Sequence, residues 1–280
     1  MATSCGFDSR RPHQVLAALN PPDRMTIPVY LINLDRSPDR LAEMQARLDA
    51  LGVTFIRVAA VDGKALTVAE RDAAEAPHKE WLPLTASEVG CFLSHRACWR
   101  RIAEGDARYG CVFEDDMLLS PRLGSFLADG SWIPADADIV KIEEGHNKVW
   151  LDMPLRELKD GFRLGRLRST HYRAGGYIVS RDAARRLLAM TERFGLPVDL
   201  VLFDVAVGET ARLEIHQLLP ALAMQRKGTA LEDTAGTIAR SGFRHEGDWA
   251  RQRRRYADEF RKLWHRLRGR RRTAVGFDES

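Results

Sequence analysis

Residues 27–63 read IPVYLINLDRSPDRLAEMQARLDALGVTFIRVAAVDG, and this stretch decides the fold class. IPVYLINL is an apolar, β-branched run of strand length, the pattern of a strand buried on both faces. Asp35-Arg36-Ser37-Pro38-Asp39 supplies a turn with helix-start residues. RLAEMQARLDALG then repeats Leu41, Met44, Leu48 and Leu51 on one face, with Gly52 as its C-cap. VTFIRVAAV is a second strand, closed by Asp62-Gly63. Strand, helix, strand in this order is a βαβ unit, which builds a mostly parallel α/β sheet.

The remaining chain extends that sheet. Thr85-Ala86-Ser87-Glu88 is a capping box ahead of VGCFLSHRACWRRIAEG, a predicted helix. YGCVFEDDMLL and DADIVKIEE are predicted strands with acids at their C-terminal ends. RAGGYIVSRDAARRLLAM gives a strand, a Ser180 cap and a helix. Residues 64–80 are predicted as a helical excursion, and 145–170, polar and Gly-containing, as a long loop. Gly175 and Gly176 suggest either close backbone approach to a ligand or a tight turn.

At 280 residues, 45% hydrophobic and 29% charged, the chain has the composition of a globular protein and excludes a disordered or fibrous one. No run reaches the roughly 18 apolar residues that span a bilayer. Residues 1–25 lack a signal-peptide core and are expected to be a flexible leader ending in Pro21-Pro22, with Met25 as an alternative start. Cys5, Cys91, Cys98 and Cys111 show no metal-knuckle or CxxC spacing, as for reduced thiols in a cytoplasmic protein.

Charge is unevenly spread. Arg244–Arg272 holds twelve Lys/Arg and four acids, a net +8, so the rest of a +4 chain carries −4. The reading divides the chain into the leader, a domain over 26–243 and a basic amphipathic helical tail over 244–280. Within 251–272, Tyr256, Phe260, Leu263, Trp264 and Leu267 recur at helical spacing among Arg and Lys, a pattern suited to an anionic membrane surface. A helix packed on its own domain, or a nucleic-acid arm, would read similarly. The acidic body argues against broad nucleic-acid binding.

VFEDDMLL, residues 112–119, is the most chemical stretch. Ligands of open α/β sheets bind beyond the carboxyl ends of the strands, where Glu114, Asp115 and Asp116 would lie. Hard oxygen ligands there suit Mn²⁺ or Mg²⁺; a solvated turn paired with Arg is the plainer alternative. On an extended chain Glu114 and Asp116 share a face and Asp115 opposes them, provided that no turn begins at Asp115.

Taken in order, INLDRSPDR, AVDGK, SEVGCFLSH, VFEDD, GGYIVSRDAA and PVD resemble glycosyltransferase family 25, the bacterial lipooligosaccharide galactosyltransferases and their collagen galactosyltransferase relatives. The resemblance runs from about residue 27 to about 225. It implies a GT-A-like fold, a Rossmann-like nucleotide-binding sheet flanked by helices. It also implies inverting transfer of a hexose, galactose first, from a UDP-sugar to a lipid-linked glycan at the inner face of the cytoplasmic membrane, with Mn²⁺ (or Mg²⁺) as cofactor.

By that resemblance Asp116 holds the metal, helped by Glu114 or Asp115, and Asp115 could instead touch the ribose. Asn33, Leu34 and Arg36 lie where a base and ribose would dock. Arg40 would reach a phosphate, or pair with Asp39. Ala60, Val61 and Asp62 end the second strand, with Asp62 either a donor contact or a plain Asp-Gly turn. Ser94 and His95 would contact donor sugar or phosphate, although a lone helical His is commonly a core residue. His216 is a candidate third metal ligand. For the catalytic base the candidates are Asp199, which would serve equally as a helix N-cap, and Glu143, with Glu144 and Asp204 behind them. The contrasting class is a sugar-nucleotide-binding protein without catalysis.

Overall fold

The computed structural model of the chain describes residues 26–76, 83–204, 212–226 and 262–280. The leader 1–25 and the tail residues 251–261 lie outside them.

The opening βαβ unit forms as the pattern dictates. Strand β1 (Val29–Asn33) is buried at every position. It leads into α1 (Pro38–Ala50), whose Met44 and Leu48 are fully buried and whose Pro38 starts the helix without needing an N–H partner. Strand β2 (Phe55–Ala59) returns parallel to β1. After α2 (Val68–Ala74) comes α3 (Ala86–Glu104), capped as expected: Thr85 Oγ1 accepts from Glu88 N–H at 3.2 Å, and Glu88 Oε2 from Thr85 N–H at 2.6 Å. Strand β3 (Tyr109–Glu114) then pairs with β1 on the side opposite β2, also parallel. The chain has therefore reversed its direction of winding at β1–β3, and the crevice beyond the carboxyl ends of these strands is the topological switch point.

The sheet is completed by β5 (Ile139–Lys141), β7 (Arg156–Glu157), β8 (Arg163–Arg166), β9 (Gly176–Ser180) and β10 (Ile215–Leu219), in the order β2-β1-β3-β9-β5-β10-β8-β7. It is mixed where a mostly parallel sheet was expected. Strand β9 runs antiparallel between β3 and β5, and β10 pairs parallel with β5 and antiparallel with β8. Two short sheets flank it: β4 (Met117–Leu119) with β11 (Ala223–Gln225), and β6 (Gly145–Asp152) with β12 (Arg270–Val275). Helices α3, α5 (Arg181–Met190) and α6 (Val198–Phe203) pack one core, including Phe92, Trp99, Tyr177 and Phe203. Helices α1 and α4 (Leu123–Leu127) pack the other, around Leu31, Met44, Phe113 and Phe126.

Two expectations are corrected here. Residues 145–170 are mainly strands, β6 to β8, and not a loop, because β6 finds a partner far along the chain. That partner lies in the region read as a separate helical tail. Residues 262–267 are helical, but 270–275 return as β12 onto β6. Val275 is buried, and Asp278 accepts from Ser120 Oγ at 2.6 Å. The basic character of Arg270–Arg272 concealed a strand whose Arg270 bonds Asp152 Oδ1 at 2.9 Å.

Candidate functional site

The acidic cluster sits at the switch point. Glu114 ends β3, and Asp115-Asp116 form the turn into β4. A turn therefore begins at Asp115, and the strand alternation that would align Glu114 with Asp116 does not apply. Instead Asp115 and Asp116 share one cation: Arg40, from the first turn of α1, lies 2.5 Å from Asp115 Oδ1 and 3.5 Å from Asp116 Oδ2. Asn33 Nδ2 donates to Asp115 Oδ2 at 2.6 Å, and Gln225 Nε2 to Asp116 Oδ2 at 2.9 Å. Asp116 Oδ1 is buried with no hydrogen-bond partner. Burial, then the neighbouring Glu114 charge, pushes the Asp116 carboxyl up to about 6, and burial also raises Asp115.

Around this turn the structure gathers the other predicted residues, mostly as supports. Asn33 is buried and spends its amide on Ser37 O, Asp115 and Arg57. Leu34 is half-buried at the end of β1. Arg36 is exposed and paired with Asp62, whose other oxygen accepts from Lys64 N–H at 3.0 Å, so Asp62 does form the Asp-Gly turn. Ala60 and Val61 line the loop after β2, half-buried. Gly63 is required there: a Cβ would stand 1.6 Å from Ala86 O, so the loop is pressed against α3. Ser94 is buried, accepts from Val61 N–H at 2.9 Å and donates to Gly90 O at 2.7 Å; it holds the loop and has no surface for a donor sugar.

His95 is likewise fully buried, with both ring nitrogens engaged, Nδ1 with Tyr177 Oη at 2.9 Å and Nε2 with Glu114 Oε1 at 3.2 Å. It touches Glu114 rather than a donor. Burial alone would raise the Glu114 carboxyl, but the hydrogen bond from His95, with the charges of Lys141 and Arg40, holds it below the usual range. Cys91 Sγ lies 3.7 Å from the same Oε1.

One strand over, Lys141 and Glu143 are both wholly buried and paired at 2.7 Å. Lys141 Nζ also donates to Arg173 O and stands 4.2 Å from the centre of the Phe203 ring. Gly176 N–H donates to Glu143 Oε2 at 3.2 Å. Glu143 is sealed from solvent with Lys141 against it, which argues against it as a base. Asp199 is half-buried in the first turn of α6, where Oδ2 accepts from Arg173 N–H at 3.0 Å and Oδ1 from Leu200 N–H at 2.8 Å. Burial raises its carboxyl against those bonds. Lys141 and Asp199 thus clamp the two faces of one residue, Arg173, held at φ +73°, a left-handed conformation that costs roughly 1–2 kcal/mol without glycine.

His216 is displaced from this site. Ile178 stands opposite both Cys111 and Val140, and His216 stands opposite Val140. His216 is therefore level with Cys111, three residues short of Glu114, and three strands across, roughly 14 Å at the usual strand spacing. Its cross-strand neighbour is Arg166. Gly175 also serves the protein itself: a Cβ there would meet Met117 Sδ at 2.7 Å. Lys141, Tyr177, Arg173 and Gln225 were missed. For Lys141 a local signal existed, since opposite charges two apart on a strand share a face.

The donor chemistry suits a divalent cation: Asp116 Oδ1 is a buried acceptor lacking a donor, and Glu114 and Asp115 adjoin it with one contacting guanidinium, although among the described residues the three carboxylates do not bring an oxygen each within 4.8 Å of one another. Asp116 and Glu114 would hold the ion, with Asp115 oriented beside them by Asn33 and Arg40.

The family model described as glycosyltransferase family 25 (LPS biosynthesis protein) matches residues 26–202. The chain is 35% identical over 192 residues to procollagen galactosyltransferase 1-B of Xenopus laevis, covering 64% of this chain and 31% of that protein. It thus spans about a third of that relative. To the lacto-N-neotetraose biosynthesis glycosyltransferase LgtE of Neisseria meningitidis serogroup B it is 29% identical, over 81% of this chain and 84% of that one. To LgtB of Neisseria gonorrhoeae it is 32% identical, over 70% and 73%. Among solved structures, the inositol-1-phosphate CTP transferase of T. maritima aligns with a TM-score of 0.36 and 11% identity, over 72% of this chain and 70% of that one.

Proposed function

The chain belongs to glycosyltransferase family 25, and on that premise we propose that it is a metal-dependent, inverting glycosyltransferase. It moves a hexose, galactose first, from a UDP-sugar to a lipooligosaccharide-type glycan. The observation that carries this reading is the buried acidic turn at the switch point, with an unpartnered Asp116 oxygen and Arg40 alongside. Galactose is favoured because relatives are named as procollagen galactosyltransferases, and a lipooligosaccharide acceptor because others are named for lacto-N-neotetraose and lipooligosaccharide biosynthesis.

In the reaction an acceptor hydroxyl oxygen bonds to the anomeric carbon from the face opposite UDP. The bond from that carbon to the UDP oxygen breaks, its electron pair leaving on the diphosphate, and the hydroxyl proton passes to a carboxylate. Bound Mn²⁺ or Mg²⁺ would supply Lewis-acid stabilisation of the departing diphosphate. Asp116 and Glu114 would hold that cation, and Arg40 would meet a phosphate oxygen. Asp199 is the proposed base, its raised carboxyl being the direction a base near neutral pH requires.

The acceptor is proposed to be lipid-linked and met at the cytoplasmic face of the membrane. Among the described residues no helix is long and apolar enough to cross a bilayer. Leu263, Trp264 and Leu267 are exposed in the basic 262–272 segment, which suits shallow insertion into an anionic surface.

The deciding experiment is calorimetric titration of UDP-galactose, UDP-glucose and UDP into the protein, with Mn²⁺ and with EDTA, repeated on Asp116→Ala. Metal-dependent binding lost in Asp116→Ala is expected, tighter for UDP-galactose than for UDP-glucose. Binding indifferent to both metal and substitution would overturn the metal reading, and equal affinity for the two sugars would overturn the choice of galactose.

A further inference from the structure

The cluster Cys91, His95 and Glu114 has donor atoms within 4.8 Å of one another and resembles a second metal site. The hydrogen bonds behind it indicate a different role. Trp99 Nε1 lies 2.8 Å from Tyr177 Oη, Tyr177 Oη 2.9 Å from His95 Nδ1, and His95 Nε2 3.2 Å from Glu114 Oε1. Trp99, Tyr177 and His95 are all fully buried. An indole N–H can only donate, so Tyr177 Oη must accept from Trp99. The phenol has a single proton, and the polar atom before it is His95 Nδ1. Nδ1 therefore accepts, the neutral ring carries its proton on Nε2, and that proton is donated to Glu114. The direction of the whole chain is written by its donor-only end.

We infer that Trp99 and Tyr177 are positioning residues that act through His95, fixing its Nε2–H tautomer and so the orientation of the Glu114 carboxylate at the edge of the sheet. This inference rests on the reading of Glu114 as a cation ligand. It also explains why polar-tipped aromatics meet in the core, where the His95 and Tyr177 rings stack 5.7 Å apart at 22°. With Nδ1 engaged by Tyr177 and the Nε2 proton directed at Glu114, His95 would have to give up that proton before the triangle could take up zinc. With Oε1 held from inside the protein, Oε2 is presented in a constant direction. Partners behind a metal ligand are commonly worth 10–100-fold in metal affinity or activity.

The test begins on the unsubstituted full chain, with nitrogen-15 labelled histidine and long-range nitrogen–proton correlation at pH 7.5. His95 is expected to show a protonated Nε2 and a bare Nδ1, and added Zn²⁺ is expected to leave both unchanged. A protonated Nδ1, or loss of the Nε2 proton on adding Zn²⁺, would overturn the inference whatever the fate of the metal reading. Trp99→Phe then removes the terminal donor while keeping an aromatic ring. It is expected to mix the two tautomers and to weaken Mn²⁺-dependent UDP binding by at least about tenfold. Tyr177→Phe should do the same more strongly, and because it strands two buried polar atoms, Trp99→Phe is the variant that decides. Unchanged tautomer and affinity within twofold in folded Trp99→Phe would reduce the chain to packing and overturn its positioning role. If Asp116→Ala leaves nucleotide binding intact while the wild-type tautomer is as assigned, the failure lies in the metal reading alone.

Discussion

Glu114 and Glu143 occupy comparable places, at the end of β3 and just past the end of β5, on either side of β9, and they are satisfied in opposite ways. On the tautomer inferred above, Glu114 is approached by neutral donors from α3, His95 at 3.2 Å and Cys91 at 3.7 Å, and it stays half-buried at the crevice. Glu143 is wholly buried and meets a full cation, Lys141, at 2.7 Å. Neutral partners orient a carboxylate without cancelling its charge, whereas a lysine cancels it. The difference separates a group that can still attract a cation from one whose charge is already used to hold the β9 loop.

That contrast breaks most visibly at Lys141. Lys141→Met leaves Glu143 buried without a counter-charge and is expected to cost about 3–5 kcal/mol, while Lys141→Met combined with Glu143→Gln recovers most of it. Urea unfolding measures both, and a single variant costing under about 1 kcal/mol would mean that the pair contributes nothing.

Glu114→Gln is the opposite case. It keeps the shape and an acceptor for His95, so the melting temperature should move little. Transfer activity should fall by about 10²–10³-fold, because only charge has been removed. A radiolabelled sugar-transfer assay beside a thermal melt separates the two effects, and equal loss of both would erase the distinction from Glu143.

A smaller effect belongs to pH. The folded Asp116 carboxyl lies at about 6 against an ordinary 3.8. The folded protein therefore binds this proton more tightly, and the stability so gained is complete below 3.8 and lost as pH rises through 6. In chelator, the wild type should lose up to about 1.4 kcal/mol per pH unit across that window relative to Asp116→Asn. A flat difference curve between pH 4 and 7 would remove the burial cost assigned to Asp116. Smallest of all, Arg36→Ala breaks an exposed pair with Asp62 and should change stability by less than about 0.5 kcal/mol. A tenfold loss of UDP affinity in the same variant would restore Arg36 to the donor site.

The legible parts of the molecule were those whose cause is local. The period of Leu41, Met44 and Leu48, the Thr85–Glu88 box and the apolar run into VFEDD each carry their own explanation within one turn or strand. The family resemblance located the cluster at the sheet edge. What the sequence concealed is what depends on distant pairing. Nothing near His216 reports that β9 and β5 stand between it and Glu114. The roles of Ser94 and His95 were inverted for the same reason: the helix face they occupy was readable, but its partners, Val61, Tyr177 and Glu114, come from elsewhere in the chain. Arg270–Arg272 looked like solvated basic residues because the strand that receives them lies more than a hundred positions earlier.

That last pairing has a consequence for how the protein is made. Asp152 and Arg270 are separated by 118 residues, so at about 5–20 residues per second the ribosome delivers β12 some 6–24 s after β6. For that interval the hydrogen-bonding edge that β12 will cover has no mate, and an unpaired edge invites the wrong one. Expression in cells short of chaperones, or translation slowed between the two strands, should therefore lower the soluble yield before it alters any property of the finished enzyme.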